Sequence, residues 1–155
     1  MSTADNLAAL GIQLPPVPVP VASYVPARRV GNLVFSSGQT PTRDGELLLK
    51  GKLGRELSVE QGMEAARISI LNCLAALQQE LGTLDAIESV VKLTGFVASA
   101  EGFGDQPSVI NGASVLLEQV FGERGKHARS ALGLAELPYG APVEVELVVS
   151  VKPDH

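Results

Sequence analysis

A single cysteine, Cys73, stands in the chain, so no internal disulfide can form. Soft and imidazole metal ligands are just as scarce. Only Cys73, His127 and His155 could supply them, too few for a four-coordinate structural zinc site. A site built from carboxylates alone stays open, although no EF-hand-like acidic loop is present; no metal centre is expected. The G-x-S-x-G nucleophile elbow, the P-loop and the dinucleotide fingerprint are all missing. Excess positive charge is missing too: 12 Lys and Arg face 17 Asp and Glu, a net charge of −5. That argues against broad contact with a nucleic-acid backbone, which favours a basic face. Charge of either sign is absent from Asn6 to Ala27. Five prolines (Pro15, Pro16, Pro18, Pro20 and Pro26) break any helix there, and no basic segment precedes it. The stretch is therefore read neither as a membrane span nor as a signal peptide, and the protein is expected to be soluble and cytoplasmic.

What is present is a globular composition, 45% apolar and 19% charged over 155 residues, enough for one domain with a real core. Residues 2–11 read as a short helix that Ser2 or Thr3 can cap and Gly11 can end. Residues 12–22 then read as a polyproline-type arm. Residues 1–22 thus form a helix and arm ahead of a main domain at 23–152. Tyr24 to Ser37 predicts two short strands joined by Arg28-Arg29-Val30-Gly31-Asn32, and Arg43-Asp44-Gly45 is a turn signal before Leu47. Ser58 and Gln61 form a capping box ahead of a long helix. Ala66, Ile70, Cys73, Leu74, Leu77 and Leu81 line one face of it, which makes Cys73 a core residue and not a nucleophile. Strands are expected over Ile87–Val97, Ala128–Leu134 and Pro142–Val151, with a second helix opening at Gln106-Pro107. In the last strand Val143, Val145, Leu147, Val149 and Val151 share one face, with Glu144 and Glu146 on the other. The order predicts an α+β fold of two ferredoxin-like β-α-β halves, a mixed sheet with both long helices on one face. Val148, opposite the apolar face, suggests that another subunit hides the outer sheet surface.

Few side chains are left for chemistry. His127 lacks the spacing of a triad or a histidine-dependent nuclease and is expected to be an ordinary histidine of the surface or of a strand's start. Arg129 begins an apolar strand, where an unpaired buried cation is costly, and its planar fork suits a carboxylate. Glu144 could be its ion-pair partner, or the two could share a pocket. Spacing alone does not separate these. Glu146 reads as a structural or surface charge.

The segment Gly31-Asn32-Leu33-Val34-Phe35-Ser36-Ser37-Gly38-Gln39 resembles the G-N-x-x-x-x-S-G-Q motif of the Rid/YjgF family. Ala128-Arg129-Ser130-Ala131 through Leu137-Pro138, followed by Val143-Glu144-Val145-Glu146, is similar to that family's C-terminal signature. Asn111 matches the asparagine of its second helix. The resemblance runs from about Ser23 to Lys152. It implies a chorismate-mutase-like fold and a homotrimer with ligand sites in the clefts between subunits. It also implies hydrolysis of reactive 2-imino or 2-enamino acids to 2-keto acids and ammonia, with no metal or organic cofactor. By the same resemblance, Arg129 binds the substrate carboxylate and Glu144 positions or activates water. Tyr24, Ser37 and Asn111 line the pocket. Three features depart from the family pattern. Ala131 stands where many members have a cysteine, the N-terminal helix and arm lengthen the chain, and the residues around Lys50 to Leu57 differ.

Two other functions compete with this imine/enamine deaminase. One is a non-catalytic trimer that binds small carboxylates as a sensor or partner protein. The other is an endoribonuclease or translation inhibitor, a label often attached to the family, against which the acidic balance weighs. No membrane partner is expected.

Overall fold

Helix boundaries in the computed structural model, which describes residues 2–155, follow local capping chemistry. Helix α1 (Thr3–Ala9) starts with a capping box between Ser2 and Asp5. It closes where Gly11, at φ +69°, lets the Ile12 N–H donate to the Leu7 carbonyl at 2.9 Å. Helix α2 (Val59–Leu81) opens with the Ser58–Gln61 capping box and stops at left-handed Gly82. Helix α3 (Gln106–Phe121) carries Pro107 in its first turn and stops at Gly122.

The strands are β1 (Ala27–Val30), β2 (Leu33–Ser36), β3 (Thr42–Arg43), β4 (Glu46–Leu47), β5 (Ile87–Ala98), β6 (Ala128–Leu134) and β7 (Val143–Val151). Five of them form one sheet in the order β1-β2-β7-β5-β6, while β3 and β4 make a separate hairpin. Strands β5 and β6 run parallel, and the other neighbours run antiparallel. Since β2 and β5 both oppose β7, each long helix is the crossover between two parallel strands. This is the mixed α+β arrangement expected, with α2 and α3 packed on one face. Val143, Val145, Leu147, Val149 and Val151 are buried beneath the helices, whereas Glu144 and Glu146 stand on the open face. Leu7 of α1 joins the same core.

The first hairpin corrects one expectation. Arg28, Arg29 and Val30 belong to β1, and only Gly31 and Asn32 make the turn, with Val30 opposite Leu33. Gly31 at φ +61° permits a two-residue loop of the kind with glycine first, so the β-forming Val30 can pair. In the second hairpin both Asp44 (φ 53°) and Gly45 (φ 82°) take positive φ, as a tight Asp-Gly turn requires.

Cys73 is fully buried in the core, and that burial pushes its thiol up to about 12. A buried, protonated sulfur is inert, in agreement with a packing role.

Candidate functional site

Register places Arg129. It sits opposite Leu93 in the parallel β5–β6 pair, and Leu93 is fully buried under the helices. Paired residues share a face, so Arg129 points to the helix side. Because β6 is the sheet's last strand, the side chain lies half-buried beside α3 and not in the core. Its Nη1 donates to Asn111 Oδ1 at 2.8 Å and to Ser114 Oγ at 3.1 Å, and its Nη2 donates to the Pro107 carbonyl at 3.1 Å. A guanidinium has five N–H groups. These bonds use both on Nη1 and one on Nη2. The Nε–H and one Nη2–H have no acceptor among the described residues. Two such donors suit a bidentate carboxylate.

Glu144 is not the partner of Arg129. It sits opposite Phe96 on β5, three residues from Leu93, and therefore on the other face of the sheet. Strand β5 separates the two, and no ion pair to Arg129 forms among the described residues.

Glu144 instead lines an open cleft of about 1320 Å³ together with Tyr24, Ser37 and the Pro15–Val21 arm. Tyr24 is half exposed. The Ser37 hydroxyl donates to the Val25 carbonyl, and its N–H donates to the Pro26 carbonyl at 2.8 Å. Ser37 thereby ties the Tyr24 segment to the end of β2. Partial burial, and next the like charge of Glu146, raises the pKa of Glu144 above the ordinary carboxyl value. That shift favours a general base, whose pKa should approach the working pH.

Gly38 controls where this carboxylate sits. A Cβ at position 38 would overlap Glu144 Oε2. The Gly38→Ala protein should fold, because the clash meets the end of a flexible side chain. It should lose about tenfold or more in turnover if that carboxylate does chemistry. Steady-state rates beside a thermal melt would show it; an unchanged rate would mean that the position of the carboxylate is immaterial.

The structure thus gathers the five expected site residues into two groups. Arg129 and Asn111 lie on the α3–β6 edge, and Tyr24, Ser37 and Glu144 line the cleft. Sequence reasoning missed Ser114, although it lies three residues after Asn111 and so on the same helix face. His127 stands at the start of β6, immediately before Ala128, as one of the two expected placements has it. It is half-buried and hydrogen-bonded through both ring nitrogens, to the Gly125 carbonyl and to Ser114 Oγ. A buried imidazole satisfies both ring nitrogens, and only the folded chain shows with which partners.

A five-stranded mixed sheet backed by two long helices defines a chorismate-mutase-like α+β protein. The profile described as "YjgF/chorismate_mutase-like, putative endoribonuclease" matches residues 4–149, and the chain belongs to that family. It is 44% identical to Protein TCP17 of Trypanosoma cruzi over 96% of this chain and 93% of that one. A 2-iminobutanoate/2-iminopropanoate deaminase of Dermatophagoides farinae is 29% identical over 91% of this chain and 95% of its own. Among solved structures, Atu1372 of Agrobacterium tumefaciens, described as of unknown function, superposes with a TM-score of 0.89. The identity is 42%, over 97% of this chain and 92% of that one. No helix among the described residues is long and apolar enough to cross a membrane.

Proposed function

We propose that the protein hydrolyses reactive 2-imino and 2-enamino acids to 2-keto acids and ammonia. The site forms where the Arg129 edge of one subunit meets the Glu144 cleft of a neighbour in a homotrimer. One observation carries this reading: each group is chemically half a site. Arg129 has two spare donors and no carboxylate, while Glu144 has no hydrogen-bond donor among the described residues. The two stand on opposite faces of one sheet, so a single chain does not bring them together. The open face also leaves Phe35 and Leu132 exposed, apolar surface suited to burial by another subunit. The deaminase among the relatives supports the same chemistry.

In the proposed reaction Arg129 grips the substrate carboxylate and fixes C2 of the iminium beside Glu144. The C2 carbon is already electrophilic, so positioning and a base suffice. Glu144 accepts a proton from water as its oxygen bonds to C2, giving a carbinolamine. The proton passes from Glu144 to the nitrogen. Glu144 then takes the hydroxyl proton as the C=O bond forms and the C–N bond breaks, and ammonia leaves, carrying that proton away as ammonium, with the keto acid remaining. No metal or organic cofactor enters these steps.

The direct test supplies freshly generated 2-imino acids from an amino-acid oxidase and follows keto-acid formation against the spontaneous rate. Acceleration is expected. Saturable keto-acid binding without turnover would instead mark a carboxylate-binding trimer. A mixing experiment probes the shared site. Arg129→Ala and Glu144→Gln subunits, each inactive alone, should regain activity when unfolded and refolded together. In randomly mixed trimers about a quarter of the sites receive both intact groups. No recovery in trimers shown to be mixed would sink the inter-subunit site.

A further inference from the structure

The hydrogen bonds behind Arg129 continue away from the ligand side and end on a histidine. The Gly125 carbonyl lies 2.6 Å from His127 Nδ1. A carbonyl oxygen only accepts, so this bond assigns the ring proton of the neutral imidazole to Nδ1. Nε2 then presents a lone pair, and it lies 2.9 Å from Ser114 Oγ. The Ser114 hydroxyl proton is therefore directed to the ring. An oxygen lone pair of Ser114 is left facing Arg129, whose Nη1 donates to it at 3.1 Å. The other Nη1 proton goes to Asn111 Oδ1.

We infer that His127 is a positioning residue for the ligand site, acting through Ser114 to hold the Arg129 guanidinium in its binding orientation. The inference rests on the proposed carboxylate-binding role of Arg129. A serine hydroxyl inside a helix otherwise has a competing acceptor, the carbonyl four residues back. With that alternative open, the hydroxyl rotates and the acceptor facing Nη1 is not fixed. The imidazole removes the choice. Its own orientation is set by Gly125, which packs tightly on α3: a Cβ at residue 125 would overlap the Leu117 carbonyl. The turn before β6, the face of α3 and the arginine of β6 are thus joined in one chain of bonds. With the fork held in advance, less side-chain freedom is lost when a carboxylate arrives.

The test uses the full-length protein, 2-ketobutyrate as the probe, and two readouts. Calorimetry gives binding, and nitrogen-15 NMR of the Arg129 side chain reports rotation of its guanidinium without any ligand. His127→Phe keeps a ring but loses both nitrogens, and Ser114→Ala loses the hydroxyl. Slow guanidinium rotation is expected in the wild type; each variant is expected to free it and to weaken binding roughly tenfold, the effect of one net hydrogen bond. The double variant should be no worse than either single one, since both break the same chain. His127→Gln, whose amide oxygen can take the Ser114 proton, should recover most of the loss. So should Ser114→Thr relative to Ser114→Ala. An Arg129 that stays equally ordered in His127→Phe, or single effects that add in the double variant, would overturn the inference. If the wild type binds no keto acid, or Arg129→Ala binds it equally well, the carboxylate-binding reading fails instead. The NMR readout then still decides whether His127 orders Arg129.

Discussion

Arg129→Ala is expected to lower kcat/KM for 2-imino acids by about 10²- to 10⁴-fold while leaving the fold intact. The size follows from what the side chain has to offer. Two N–H donors are free among the described residues, and a hydrogen bond to a charged group is worth about 1.5–3 kcal/mol. Losing both removes carboxylate binding and the orientation of C2 together. The fold should survive because Arg129 lies half-buried on an edge strand and its protein partners are neutral: Asn111, Ser114 and the Pro107 carbonyl. No buried counter-charge is stranded by its removal. Arg129→Lys should restore little, since an ammonium lacks the planar fork that serves three protein acceptors and a carboxylate at once. Rates measured with several imino acids beside a melting curve would check this. A variant with wild-type turnover would refute the clamp.

Glu144→Gln is expected to separate activity from stability in opposite directions. Turnover should fall by about 10²- to 10⁴-fold, the usual contribution of a positioned base. Stability at neutral pH should rise, by roughly 2 °C in melting temperature. Partial burial, then the neighbouring charge of Glu146, disfavours the ionised form in the folded chain and raises its pKa. The unfolded chain releases the proton at a lower pH. Between the two values the unfolded state binds fewer protons, so stability declines as pH rises and the penalty is complete above the folded value. Glutamine never ionises and avoids that penalty. The advantage of the variant should therefore be present at pH 8 and vanish below the ordinary carboxyl range. Equal pH dependence of melting in the two proteins would show that Glu144 is not the strained group. In the wild type, kcat/KM should rise with pH through this raised pKa, and Glu144→Gln should lose that limb.

Some of this was written in local sequence. The capping boxes of Ser2 and Ser58, the Gly82 stop and the alternation from Val143 to Val151 each depend on near neighbours. Periodicity therefore located those elements, and Cys73 within the core. The β1–β2 turn is shorter than local composition suggests, because one glycine with positive φ suffices for a two-residue loop and pairing then draws Val30 into the strand. Motif matches chose Arg129, Glu144, Tyr24, Ser37 and Asn111 without saying which of them meet.

Only the tertiary structure decided that grouping. Sheet order places β5 between β6 and β7, and an offset of three residues along β5 puts Arg129 and Glu144 on opposite faces. Neither fact has a signature in residues fifteen positions apart, because strand order is set by the packing of whole helices on the sheet. The same holds for Ser114 and His127, which become partners of Arg129 only when α3 lies beside β6. The amino-acid sequence fixes which groups can donate, accept or ionise, since those are properties of single side chains. Their combination depends on long-range burial, which brings distant segments together for reasons that no short stretch of the chain contains.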